Sequence, residues 1–174
     1  MDFMLDGFSN GRRFRLLNLV DDFSRETLVM EADTSLPGLR VVRALERLVT
    51  TRGLPEMITI DNGPEFTSCV LDAWACGNGV KLQFSRPGKP VDNAYIESFN
   101  GRVRDECLNV HWFTTLLDAQ ITIETWRCDY NTVRPHSALG GLSPEGFRKG
   151  ADRPRGLAHA KKIEQKSNLS ESMA

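Results

Sequence analysis

At 174 residues, 40% hydrophobic and 26% charged, the chain suits one globular domain with a sizeable core and a short tail. No run of about 18 apolar residues is present, and Asp2 and Asp6 interrupt the first apolar stretch, so neither a membrane span nor a signal peptide is expected and the location implied is cytoplasmic. The net charge of −1 hides an asymmetry: residues 1–80 hold 8 basic and 12 acidic side chains, residues 81–174 hold 14 and 11, so one face of the later half suits a nucleic-acid backbone.

The first third reads as a hairpin-rich β region. Phe3 to Leu5 is apolar, Ser9-Asn10-Gly11 supplies turn chemistry, and Phe14 to Val20 follows as a strand. Asp21-Asp22-Phe23-Ser24-Arg25 makes the next turn before Thr27 to Met30. The paired aspartates attract a metal reading, but between two strands they are expected to shape the turn. Thr34 or Ser35 is placed to cap a helix over about 36–52, with Leu39, Val42, Leu45 and Val49 as its buried stripe and Gly53 just past its end.

Met57 to Ile60 is a short strand that delivers Asp61, and Asn62-Gly63-Pro64 breaks the chain after it. Phe66, Val70, Ala73 and Trp74 suggest a helix over roughly 67–77, and Lys81 to Phe84 another strand. The segment 85–90 holds two prolines and a glycine and reads as a mobile loop. Helical periodicity then returns: Asn93, Glu97, Asn100 and Arg104 share one face, and Ile96, Phe99, Val103 and Cys107 a neighbouring apolar one. A further helix over about 115–131 buries Ala119, Ile123, Trp126 and Tyr130. Arg134-Pro135-His136 either touches DNA or ends that helix, and proline favours the second. From about Ala151 the chain turns polar without apolar periodicity, so residues 1–150 form the core and 151–174 a frayed tail. The whole is an α/β mixed five-stranded sheet, three antiparallel strands followed by parallel additions, flanked by helices.

Four cysteines without close-paired spacing read as reduced thiols packed mostly as small buried hydrophobes, and three scattered histidines offer no ligand cluster. Carboxylates remain. Asp61 ends a buried strand and Glu97 follows 36 positions later on a helix, with Asp2 as a third group if the first and fourth strands lie side by side. Oxygen donors of this kind suit Mg²⁺, and two such ions about 4 Å apart activate the attacking oxygen and stabilise the leaving oxygen of a phosphodiester displacement. Arg102 and Arg104, near that cleft, and Arg86 and Lys89, on the preceding loop, are the candidate phosphate contacts.

Met1-Asp2-Phe3, Val20-Asp21-Asp22-Phe23-Ser24-Arg25, Asp61-Asn62-Gly63-Pro64-Glu65-Phe66, Asn93 to Gly101, and Tyr130 to His136 followed by Leu139 and Leu142-Ser143-Pro144 occur in this order. Together they resemble the integrase-type catalytic core of bacterial insertion-sequence transposases, above all the second-frame proteins of insertion-sequence family three, over about residues 1–148. The resemblance implies a ribonuclease-H-like fold in a bacterial cytoplasmic protein. It also implies Mg²⁺ or Mn²⁺ dependence and DNA strand cleavage and transfer by Asp2, Asp61 and Glu97, with Arg104 matching the family's basic residue seven positions after the glutamate. The partners implied are element-end and target DNA and further copies of the chain. Family members carry a longer first strand and a DNA-binding helical region upstream. A clipped first strand is therefore expected, with end recognition missing or supplied by a helix-turn-helix protein from the companion frame. The competing readings are a ribonuclease-H-like nuclease that hydrolyses without joining, and an inactive remnant that only binds DNA or oligomerises.

Overall fold

The computed structural model describes residues 1–61, 69–85 and 94–151. Three strands, β1 (Asp2–Gly7), β2 (Arg13–Val20) and β3 (Thr27–Asp33), form an antiparallel sheet in the order β1-β2-β3. Asp2 stands opposite Asn18 and Gly7 opposite Arg13, while Arg15 stands opposite Asp33. A bulge at Leu19/Val20 bends the second ladder just before the β2–β3 turn. There Asp21 accepts from the Ser24 backbone N–H at 2.8 Å and from its hydroxyl at 2.5 Å, so this aspartate is the turn residue its position implied.

β2 is central and covered on both faces, which explains its near-continuous apolar run. With a side-chain period of two, Leu17 and Leu19 join one core while Phe14 and Leu16 join another. The first core lies under α1 (Gly38–Arg52) and α2 (Cys69–Asn78), together with β4 (Met57–Ile60) and β5 (Lys81–Phe84). The second lies under α3 (Ala94–Val103), a π turn over Arg104–Leu108, and α4 (Leu116–Thr132). A short α5 (Pro144–Ala151) closes the described residues, and the tail expected over 151–174 lies outside them beyond Ala151.

α4 is fastened along β3 by side chains. The Gln120 amide donates to Ala32 O at 2.9 Å. Buried Asn131 accepts from the Thr27 backbone N–H at 2.8 Å and returns a bond to Thr27 O at 2.9 Å. Those two bonds satisfy both main-chain groups of a fully buried residue, where an orphan would cost roughly 1–3 kcal/mol.

Several expectations need correction. The five strands are all present, but their ladders divide into a three-stranded antiparallel sheet and a two-stranded parallel one, β4-β5. The Met1 ammonium bonds to Thr59 O at 2.8 Å and so links the start of β1 to β4. α1 starts at Gly38 behind Pro37, and no side chain caps it; Thr34 and Ser35 bond to the Asp33 carboxylate instead. Proline fits there because its missing N–H is of no use at a helix start. The buried stripe of α1 is Val41, Val42, Ala44 and Leu45, leaving Leu39 half exposed, because α1 meets both β3 and α2. Likewise α2 buries Leu71, Trp74 and Ala75 and exposes Val70 and Ala73. Of the cysteines, only Cys107 is buried; Cys69, Cys76 and Cys128 are exposed, since each falls on the solvent side of its helix.

Candidate active site

The site is built from the start of β1, the end of β4 and one face of α3. The Met1 ammonium bonded to Thr59 O brings Asp2 alongside the end of β4, where Asp61 emerges. The electrostatics agree with that placement. Burial pushes the Asp2 carboxyl above the ordinary carboxylate range; the Phe3 backbone N–H, at 2.7 Å, opposes that, and the Asp61 charge adds to it. The Met1 ammonium and the Asn100 amide pull in the opposite direction. Both aspartates are half-buried. In turn, burial lowers the Met1 ammonium, against the nearby Asp2, Asp22 and Asp61.

α3 presents the two faces its periodicity implied. Ile96, Phe99 and Val103 are buried in the second core, with Phe99 set edge-on to Trp126 and Tyr130 at 5.9 and 5.3 Å. On the polar face Asn100 donates from Nδ2 to Asp2 Oδ2 at 2.5 Å and accepts from Asn18 Nδ2 at 2.8 Å. Asn18, wholly buried in the middle of β2, thus turns the Asn100 amide so that its NH₂ meets the carboxylate. These two asparagines are the positioning residues that sequence reasoning missed. The available signals were the polar Asn18 inside Leu16-Leu17-Asn18-Leu19-Val20 and Asn100 three residues after Glu97.

Glu97 sits one turn before Asn100 and is exposed. Among the described residues no three His, Cys, Asp or Glu side chains gather closely enough to hold a metal ion, so the triple convergence expected of Asp2, Asp61 and Glu97 is not drawn together. Glu97 lies in the first turn of α3, whose approach runs through residues 86–93, outside the described ones. Like-charge repulsion also works against three carboxylates closing on one point. The two half-buried carboxylates that lie within electrostatic reach of each other, Asp2 and Asp61, offer oxygen donors, which fits a hard divalent cation such as Mg²⁺ or Mn²⁺.

The basic candidates separate. Arg86 and Lys89 lie outside the described residues. Arg104 donates to Leu5 O at 2.8 Å and faces the Asp6 carboxylate at 3.5 Å, so it ties the π turn to β1. Arg102, two residues earlier, is exposed. Arg134 grips the Glu106 carboxylate with both terminal nitrogens, joining the end of α4 to the π turn. Its neighbour His136 bridges to Leu142, so the segment folds back after the helix ends.

Comparison with known proteins follows the same outline. Residues 1–90 match the family model "Integrase core domain", and residues 78–144 match a second model of that description. The chain is 53% identical over 158 residues to an uncharacterized 31.7 kDa protein of insertion element IS407 from Burkholderia multivorans, covering 88% of this chain and 57% of that protein. It is 28% identical over 132 residues to the transposase InsF for insertion sequence IS3A of Escherichia coli, covering 74% and 46%. The chain thus spans about half the length of the curated relatives it matches. Among solved structures, the simian T-cell lymphotropic virus intasome in complex with PP2A regulatory subunit B56 gamma superposes with a TM-score of 0.72 at 16% identity, over 89% of this chain and 54% of that one. The HTLV-2 integrase catalytic core domain in complex with magnesium gives 0.64 at 16%, over 84% and 93%. At such identities the likeness carries the fold, which is ribonuclease-H-like. With more than half of its residues matched by one model, and a sheet, helices and carboxylate pair in the arrangement described above, the chain belongs to the integrase core domain family.

Proposed function

We propose that residues 1–150 are the catalytic core of a bacterial insertion-sequence transposase, which cleaves and joins DNA strands with a divalent cation held by Asp2, Asp61 and Glu97. The observation that supports this reading is the Asn18–Asn100–Asp2 chain of hydrogen bonds, which ties α3, the helix that carries Glu97, to the start of β1, where the Asp61 charge is felt. A cation bound there, or two as in other carboxylate sites of phosphoryl transfer, would supply an activated attacking oxygen and neutralise the leaving one. Asp2 and Asp61 would hold it from the sheet and Glu97 from the helix, while Asn100 keeps Asp2 in one rotamer. No side chain of this chain need act as nucleophile.

DNA is the proposed substrate and partner, with Arg86, Lys89 and Arg102 as phosphate contacts and Arg104 in the structural tie to β1. Self-association is supported by exposed Val110, Trp112, Leu117 and Ile121 at the start of α4 and just before it. The greater length of the relatives supports a further region or companion protein that recognises element ends. No helix of the described residues is long and apolar enough to cross a membrane, and we place the protein in the bacterial cytoplasm with its DNA. The test is a Mn²⁺-dependent assay on labelled element ends with wild type, Asp61→Asn and Glu97→Gln. Joined product from wild type alone supports the reading. Hydrolysed ends without joining would make the protein a nuclease, and no product would leave a DNA-binding remnant.

A further inference from the structure

A second polar cleft lies beside α3, away from the carboxylates. Its volume is about 410 Å³, and Arg25, Tyr95, Ser98, Arg102, His136 and Ser137 are among its walls. Three separate parts of the chain meet there: the β2–β3 turn, the exposed side of α3 and the segment after α4. Among the described residues neither Arg25 nor Arg102 forms a close ion pair, although Arg102 lies within electrostatic reach of Glu106, whereas Arg134 next door is paired directly with Glu106. Arg25 is held in place at a cost. Its φ of 63° is in the left-handed region, the single such value among described non-glycine residues, and its guanidinium lies 3.9 Å from the centre of the Tyr95 ring.

His136 is the most telling wall. The residue is 8% exposed, and Nε2 has no hydrogen-bond partner among the described residues. The ring already donates to the Tyr130 backbone carbonyl and stands edge-on to the Tyr130 ring at 4.8 Å, and the residue is one of the cleft's walls. A buried polar atom without a partner costs free energy unless a ligand supplies one.

Taking these together, we propose that this cleft is a DNA phosphodiester subsite, in which Arg25 and Arg102 neutralise the phosphate and His136 Nε2, with the Ser98 and Ser137 hydroxyls, orients it. The assignment rests on the transposase reading for its ligand class, and it adds a strand-holding site one helical face away from the carboxylates. For His136 to donate from Nε2 its ring takes up a proton from solvent. Burial and the charges of Arg102 on α3 and Arg134 after α4 hold it neutral in the free protein. The other groups facing it are Arg25 from the turn, Tyr95 from α3 and Tyr130 from α4; Tyr130 is kept un-ionised by burial and by its bond to Tyr95. A bound phosphate reverses the balance at His136, so affinity should rise as the pH falls from 7 to 6.

The experiment is anisotropy of a fluorescein-labelled 20-nucleotide single strand and its duplex, titrated with the full chain in EDTA at several KCl concentrations. Arg102→Ala and Arg25→Gly should each weaken binding about five-fold and flatten the log–log salt slope by about one, as loss of one phosphate contact does. Arg25→Gly is the folding control: glycine relieves the positive φ, so its Tm should equal or exceed that of wild type. His136→Gln should abolish the tightening between pH 7 and 6. Affinity, salt slope and pH response all unchanged in the three variants would overturn the subsite, even if wild type joins DNA ends. The effects seen in a wild-type protein that joins nothing would keep the subsite and sink the transposase reading.

Discussion

Glu97 and Phe99 are two residues apart in the same helix turn and face opposite ways, so their substitution separates chemistry from folding. Phe99 is 2% exposed and packs edge-on against Trp126 and Tyr130. Truncation to alanine loses the transfer free energy of the ring, leaves a cavity, and removes two aromatic contacts, together about 3–5 kcal/mol. That is a large share of the roughly 5–15 kcal/mol that holds a domain folded. At about 2–4 °C per kcal/mol for a chain of this size, the Tm should fall by about 6–20 °C. Glu97 is exposed, and Glu97→Gln should shift stability by less than about 0.5 kcal/mol while abolishing metal-dependent strand cleavage. Circular-dichroism melts and cleavage of a labelled duplex in Mn²⁺ read the two effects. A Phe99→Ala protein that melts within about 2 °C of wild type, or a Glu97→Gln protein that still cleaves, would show that the faces of α3 have been misassigned.

Asp2→Asn should stabilise the protein in EDTA at pH 7. The folded carboxyl is raised above its unfolded value, so the wild-type charge costs stability above the unfolded range and that cost vanishes as the acid protonates. The gain should therefore shrink as melts are repeated toward pH 4, and a gain that grows on acidification would refute the burial argument. Mn²⁺ should raise the Tm of wild type and not that of Asp2→Asn, as expected when a ligand binds only the folded state. Asn100→Ala should leave the fold within about 1–2 kcal/mol of wild type yet reduce cleavage at least ten-fold at limiting Mn²⁺, with partial recovery at high Mn²⁺. Of the four thiols, Cys69, Cys76 and Cys128 should react promptly with a disulfide reagent under native conditions, whereas Cys107, buried and with its thiol pushed up to about 11, should react only on unfolding.

Strand and helix positions were legible because each depends on local chemistry that the chain displays openly. Gly53 past α1, Thr115 bonding the Asp118 N–H at the start of α4, and the apolar stripe Ile96, Phe99 and Val103 are all short-range signals. What escaped depends on partners distant in sequence. Leu39 and Val42 are equivalent by periodicity, and only the angle at which α1 meets β3 and α2 decides that Val42 is buried and Leu39 is not. Arg104 looked free to meet phosphate, but its guanidinium reaches the Leu5 carbonyl, 99 residues away. Asn18 had no meaning until the strand register put Asp2 opposite it and Asn100 against both. The division of the sheet into three plus two strands was equally invisible, because alternation of apolar residues says which face is buried but not which edge is paired.

The paired bonds between Asn131 and Thr27 have a consequence for hydrogen exchange. The Thr27 amide is held by a side chain of α4 rather than by a neighbouring strand, so a solvent deuteron reaches it only when α4 lifts from the sheet. Its exchange rate is thus a one-residue clock for the separation of that helix. The same lock joins the turn that carries Arg25 to the helix end that leads into His136, so both walls of the second cleft should report a single opening frequency.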